Sequence, residues 1–173
     1  MTRELRCSAR VLLHPLTLGA LVVWALNDHV LKGWGPGLLT GKLSDFAALV
    51  VCPAVLLGLS EWLAPEFVSK HLRAVCLACC AAIGLLLIGL ELSRSVELGY
   101  EQFLGSAQYG VKVVLSTLLG QPPPRYVMVD TTPDLGDLLS LPALAVPWWL
   151  LRRNAASVAL VRVDAGRGRE PQR

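Results

Sequence analysis

The sequence predicts an all-α fold: a polytopic membrane helical bundle of four transmembrane helices, with one amphipathic helix on its outer side. Three observations carry that expectation. Of the 173 residues 54% are hydrophobic and only 17% charged, with a mean hydropathy of +0.54, more apolar surface than a soluble domain of this length hides. The charges stand in banks between long uncharged runs, so the apolar residues form membrane-length blocks rather than amphipathic stripes. The Lys and Arg residues collect on one side of the topology that those blocks define.

A spanning helix needs about 20 residues at ~1.5 Å rise each. The first span runs from about Val11 to Val30. Its basic start and apolar run are those of a signal sequence, but no small-x-small cleavage site precedes a polar mature chain, and Asn27, Asp28, His29 and Lys32 follow directly, so it is read as retained. The second span runs over about 45–63 and the third over about 74–92. Counted from Leu138 to Leu151 the fourth would reach only about 21 Å. Thr132-Pro133-Asp134 supplies a capping hydroxyl, a first-turn proline and a first-turn acid, which moves the start back and gives a span over about 133–151.

Between the third and fourth spans, Tyr100, Phe103, Leu104, Ala107, Val111, Val114, Leu115 and Leu118 recur at helical spacing, with Glu97, Glu101, Gln108, Lys112 and Ser116 largely opposite. That is an amphipathic helix over about 98–119, suited to the membrane surface or the top of the bundle. A fifth span is its rival. Four spans with an inner N-terminus put Arg3, Arg6, Arg10, Lys70, Arg73, Arg152, Arg153, Arg162, Arg167, Arg169 and Arg173 inside and only Lys32, Lys42, Arg94, Lys112 and Arg125 outside. A fifth span would export the Arg-rich tail, so both termini are expected in the cytoplasm. Residues 1–160 then form one membrane domain, and the polar Gly/Pro/Arg-rich stretch 161–173 a disordered tail.

None of Cys7, Cys52, Cys76, Cys79 and Cys80 falls in an expected outer loop, so no disulfide framework is implied. Ala74, Ala78 and Ala82 follow small-xxx-small spacing, and Cys76, Cys80 and Gly84 repeat it alongside, which lets helices approach closely in lipid. The CxxC within Cys76–Cys80 is read as part of that packing rather than as redox chemistry. Glu61 and Trp62 are read as interface residues, the acid reaching water.

The outer ends of the helices gather a polar crown: Asp28, His29, Lys32, Lys42, Asp45, Asp134 and Asp137, with Glu91 at the same level. Asp45 and Asp134 open helices, where an acid satisfies unpaired N–H groups and the dipole, so both read first as caps. Asp28 sits near a helix C-terminus, where the dipole disfavours an anion, and Lys32 one turn later neutralises it. Asp137 is the sharpest candidate. With a helix starting near Pro133 it lies more than a turn inside, where a charge costs about 2.5–3.5 kcal/mol and faces a partner or water. Lys42, Lys32 or His29 is the expected partner. Ser44-Asp45-Phe46-Ala47-Ala48-Leu49 also echoes Gly136-Asp137-Leu138-Leu139-Ser140-Leu141, each followed by a proline, as in an internal repeat.

At LNDHVLK (26–32), LTGKLSDFAALVVCP (39–53) and DTTPDLGDLLSLPAL (130–144) the chain resembles a group of small, uncharacterised bacterial multi-pass inner-membrane proteins. The resemblance implies a bacterial inner-membrane location and a polytopic helical fold, and brings no ligand, cofactor or catalytic residue. It adds interest to Asn27, Thr40 and Ser44 beside the charged residues of the crown.

No Gly-rich phosphate loop, HExxH helix or GxSxG elbow is present, and no basic groove or aromatic-interleaved basic patch supports nucleic-acid binding. Three readings of the crown compete. In the first, a non-enzymatic module binds an ion, a lipid head group or a partner protein there, alone or as a homo-oligomer. In the second, a small transporter or channel-like protein runs a pathway past Asp137. In the third, a metal-dependent membrane enzyme uses His29 and the Asp cluster as ligands, which requires several of these side chains to converge on one point.

Overall fold

In a computed structural model of the protein, residues 7–34 and 37–153 are described, and among them every regular element is helical. The disordered-tail expectation, Arg3, Arg6 and the side chains of Cys7 and Lys32 lie outside what is described. The chain divides into two compact units, residues 1–84 with 139–173, and residues 85–138.

The first unit opens with α1 (Cys7–Leu12) and α2 (Pro15–Leu26). The sequence reads these as one span, but Pro15 has no N–H to continue α1 and its ring starts a new helix at the first position. His14 caps it: its backbone is extended and its Nδ1 accepts from the Leu16 N–H at 3.2 Å. The α-helix then widens into a π-turn, Asn27–Leu31, before the short α3 (Lys32–Trp34).

Next comes α4 (Leu38–Leu63), which begins seven residues before the expected span at 45. Thr40 explains the early start, because its hydroxyl both accepts from the Gly37 N–H at 3.1 Å and donates to the Gly37 carbonyl at 2.8 Å. Asp45 is therefore inside the helix and is not its cap. The next helix, α5 (Pro65–Leu92), is kinked at His71, whose φ/ψ of −120/27 leave the helical region and whose ring lies 4.9 Å from that of Phe67. The stretch after this kink contains the expected third span. Both α4 and α5 are long and apolar enough to cross a membrane.

The first unit's core joins Val11, Ala54, Leu57, Val68, Cys76, Cys79, Cys80, Leu150 and Leu151. Of the two small-residue rows on α5, Cys76, Cys80 and Gly84 are buried whereas Ala74, Ala78 and Ala82 are exposed. A methyl at Gly84 would stand 2.9 Å from Leu144 Cδ1, so the close approach expected of that row is made there. Glu61 corrects its expected solvated role. It is buried, and its carboxylate accepts from the Ser8 N–H at 3.2 Å and from the Ser8 hydroxyl, closing the first turn of α1 from a distant helix.

In the second unit α6 (Arg94–Leu118) occupies the stretch expected to be amphipathic. It is followed by a non-helical strap, residues 121–134. The strap lies along the stripe Glu97, Glu101 and Gly105, four residues apart and hence on one face. Gly105 lets the strap pass closely there, because a Cβ would meet Tyr126 Oη at 3.0 Å, the Val127 carbonyl at 3.2 Å and Met128 Cα at 3.4 Å. The two acids of α6 are inside, Glu97 and Glu101 being 2% and 1% exposed, whereas Phe103 and Leu118 are 72% and 77% exposed, on a surface that also carries Gln102, Gln108 and Lys112.

The α-helix expected from Pro133 is instead a 3₁₀ segment, Leu135–Leu144, followed by α-helix α7 over residues 145–153. Pro142 within it and Pro147 beyond it each lack the N–H that α-helical bonding requires.

Candidate functional site

Of the crown residues expected from sequence, Asp28, His29, Lys32, Lys42 and Asp45 belong to the first unit, and Asp134 and Asp137 to the second. Asp134 is the cap it was read as. Its carboxylate accepts from the Gly136 N–H at 2.8 Å, and its own N–H donates to Glu91 Oε2 at 2.6 Å. Asp137 is a correction. Because the cap is Asp134 and the segment begins only at Leu135, two residues past Pro133, Asp137 stands in the first turn of the 3₁₀ segment, half-buried, with its N–H donating to the Asp134 carbonyl at 2.7 Å. It is not more than a turn inside its helix, as a start at Pro133 implied.

Asp28 is drawn into a polar group of the first unit, built where the π-turn meets the start of α4. Asn27 is the first residue of that turn and is completely buried. Its Nδ2 donates to the Thr40 carbonyl at 2.6 Å and to Ser44 Oγ at 3.2 Å. The Ser44 hydroxyl then donates to Asp28 Oδ1 at 2.6 Å. These bonds fix the amide's orientation, since the Thr40 carbonyl can only accept and must face the NH₂. Asn27 Oδ1 is left pointing elsewhere, buried and with no hydrogen-bond partner among the described residues. Such an orphaned acceptor costs about 1–3 kcal/mol and calls for a donor or a cation. His29 is exposed in the same turn, and Lys42 and Asp45 are half-buried on α4 on either side of Ser44.

A second polar group holds the strap of the second unit. Thr131 donates its N–H to Glu101 Oε1 at 2.8 Å, and its hydroxyl lies 2.8 Å from Glu101 Oε1 and 3.3 Å from Glu97 Oε1. Arg94 pairs with Glu97 at 2.8 Å. The Thr131 N–H and hydroxyl hold the Glu101 carboxyl below its ordinary range, by stabilising its charged form. The sequence reading placed both glutamates on the polar face of an amphipathic helix, opposite its apolar stripe. Their spacing with Gly105 was the available signal, since a glycine in register with two acids marks a path for another backbone.

Beside the Asn27 group, an apolar groove of about 450 Å³ is lined by Ala20, Val23, Leu43, Phe46, Ala47, Val50, Pro142, Ala143 and Val146. Its walls are hydrocarbon, fit for an apolar chain and offering nothing to a polar substrate. Among the described residues no three His, Cys, Asp or Glu side chains are grouped to hold a metal ion, so the metal-enzyme reading lacks its convergent ligand set. Comparison of the chain with protein-family models, with curated proteins and with solved structures finds no match.

Proposed function

We propose that this chain is a four-span protein of the bacterial inner membrane with both termini in the cytoplasm, acting as a non-enzymatic module. Its outer polar end, centred on Asn27, Asp28, Thr40 and Ser44, binds a small polar ligand. The observation that carries the membrane reading is the direction of burial. Only 22% of the most apolar stretch of α5 is buried, whereas a core helix of a soluble protein is mostly buried. On α6 the acids are inside and the large apolar side chains outside. Both arrangements are stable where the surroundings are hydrocarbon and costly in water.

The remaining spans are supported by shape and anchoring. The apolar stretch Pro15–Leu31 is short for a span by itself, and α1 precedes it across a two-residue break. At the other end 3₁₀ geometry gains length, about 2.0 Å per residue against ~1.5 Å for an α-helix. Arg152 lies 5.9 Å from the Trp148 ring and Arg153 5.3 Å from the Trp149 ring, a pairing suited to the inner interface. A binding role is favoured over catalysis because the hydrogen bonds of the Asn27 group join an amide, a backbone carbonyl, one hydroxyl and one carboxylate, with no histidine or amine base on the hydroxyl.

Alkaline carbonate extraction of membranes tests the reading. An integral bundle stays in the membrane pellet; release of the intact chain into the supernatant would overturn it.

A further inference from the structure

The geometry points to a site for one anionic phospholipid at the corner between α4 and α5, its phosphate held by Lys70 and His71 with Arg73 beside them, and one acyl chain laid along Phe67, Ala74, Val75 and Ala78. This goes beyond the polar outer end described above and rests only on the membrane reading.

Two cavities of different chemistry adjoin there. One, of about 640 Å³, is lined by Ala64, Pro65, Glu66, Phe67, Lys70 and His71. The other, of about 300 Å³, is lined by Phe67, His71, Ala74, Val75 and Ala78. Phe67 and His71 belong to both walls, so the two are continuous, charged at one end and mostly hydrocarbon at the other. The kink at His71 falls at the join, where the 4.9 Å ring contact with Phe67 makes one wall of the two side chains. Residues 67, 71, 74, 75 and 78 recur at helical spacing, so the second cavity is a track along one face of α5, and Ala74 and Ala78 leave it room by presenting only methyl groups. A small ion would fill the first cavity and leave the second empty, and a plain hydrocarbon would leave the charges of the first unmatched. A molecule with a charged head and a long apolar chain matches both.

Charge selects among such amphiphiles. Lys70 is exposed, and neither Glu66, four residues earlier, nor any other acid among the described residues forms an ion pair with it. Arg73, one turn further on, is exposed on the same side of the helix. Glu66 is the one acid in the cavity wall, so the two cations exceed it even with His71 neutral. A head group of net negative charge is therefore favoured over a zwitterionic one. Trp62 and Phe67 are exposed beside the cavity, as aromatic rings are at head-group level. In the four-span arrangement this corner lies at the cytoplasmic leaflet, where basic pockets hold anionic head groups.

The test is thermal unfolding of the full chain in dodecyl maltoside micelles doped with dioleoyl phosphatidylglycerol or, at equal mole fraction, dioleoyl phosphatidylcholine. Phosphatidylglycerol should raise the midpoint saturably, by about 3–6 °C at ten times its apparent dissociation constant, and phosphatidylcholine should leave it near its value in detergent alone. The double variant Lys70→Gln/Arg73→Gln should weaken the apparent affinity for phosphatidylglycerol by about tenfold or more, because two cations are removed. Ala74→Phe, which fills the track from an exposed position, should weaken it to a similar extent. Lys112→Gln removes an exposed cation from α6 and should leave it unchanged. Equal midpoints in the two lipids would overturn the inference, as would a shift that both site variants retain, or a loss in Lys112→Gln as large as in the double variant. A shift reproduced by free glycerophosphate would overturn the lipid as occupant. A chain that resists carbonate extraction yet responds alike to both lipids refutes this site and leaves the membrane reading standing.

Discussion

Replacing Glu61 with Ala should unfasten α1 from α4, and the structure sets both the size of the effect and the control. The carboxylate accepts two hydrogen bonds from one residue, the Ser8 N–H and the Ser8 hydroxyl, with both residues buried. Hydrogen bonds to a charged group contribute about 1.5–3 kcal/mol each, and part of the energy is recovered as the freed groups relax, so Glu61→Ala should cost about 3 kcal/mol. Ser8→Ala removes only the hydroxyl and keeps the N–H, so it should cost about 1.5–2 kcal/mol. With Glu61 already gone the Ser8 hydroxyl has lost its acceptor, and removing it should then cost close to nothing. The assay is reversible denaturation in mixed micelles for wild type, both single variants and the double variant. Equal costs for Ser8→Ala in the two backgrounds would refute the reasoning, because the two residues would then be uncoupled.

The strap of the second unit should detach on acidification. A carboxyl held below its ordinary value contributes stability that is present above that value, near pH 4.5, and lost as the pH falls beneath it. Near-UV circular dichroism from the Tyr109–Tyr126 pair, whose rings stand 5.8 Å apart, should therefore change below about pH 4.5, and Glu101→Gln should remove that transition. Thr131→Val, which deletes the hydroxyl that both glutamates share, should raise proteolytic cleavage within 121–134 severalfold, measured by mass spectrometry. Gly84→Val should destabilise the first unit by about 1–3 kcal/mol in micelles by overpacking against Leu144, whereas Ala82→Val on the exposed row should be nearly neutral.

Helical content, the amphipathic stretch around α6 and the apolar lengths of α4 and α5 were legible because each rests on local pattern: periodicity, run length and the placing of charges. Boundaries were less so. The start of α4 depends on Thr40 folding back on Gly37, a bond between residues that composition marks only as loop-like. The 3₁₀ character of Leu135–Leu144 follows from Pro142 and Pro147, yet the residues before Pro142 read as good α-helix formers. At the site the charged residues were visible and their geometry was not. Asp28 reads as half of a pair with Lys32, and the hydrogen bond it accepts from Ser44, sixteen positions away, is not visible in local pattern. Glu61 reads as solvated, and Glu97 and Glu101 as the polar face of an amphipathic helix, yet all three are buried. Glu61 and Glu101 instead satisfy backbone and hydroxyl donors brought from far along the chain, and Glu97 the Thr131 hydroxyl, and that pairing is set by tertiary contact.

The central claim is a four-span membrane protein, and the measurement that addresses it most directly is the side of the membrane on which the C-terminus lies. A reporter that is active only in the cytoplasm, fused after residue 173, should be active, and one that needs export should be silent. The opposite pattern would contradict four spans and would make α6, through residues 94–118, a fifth crossing.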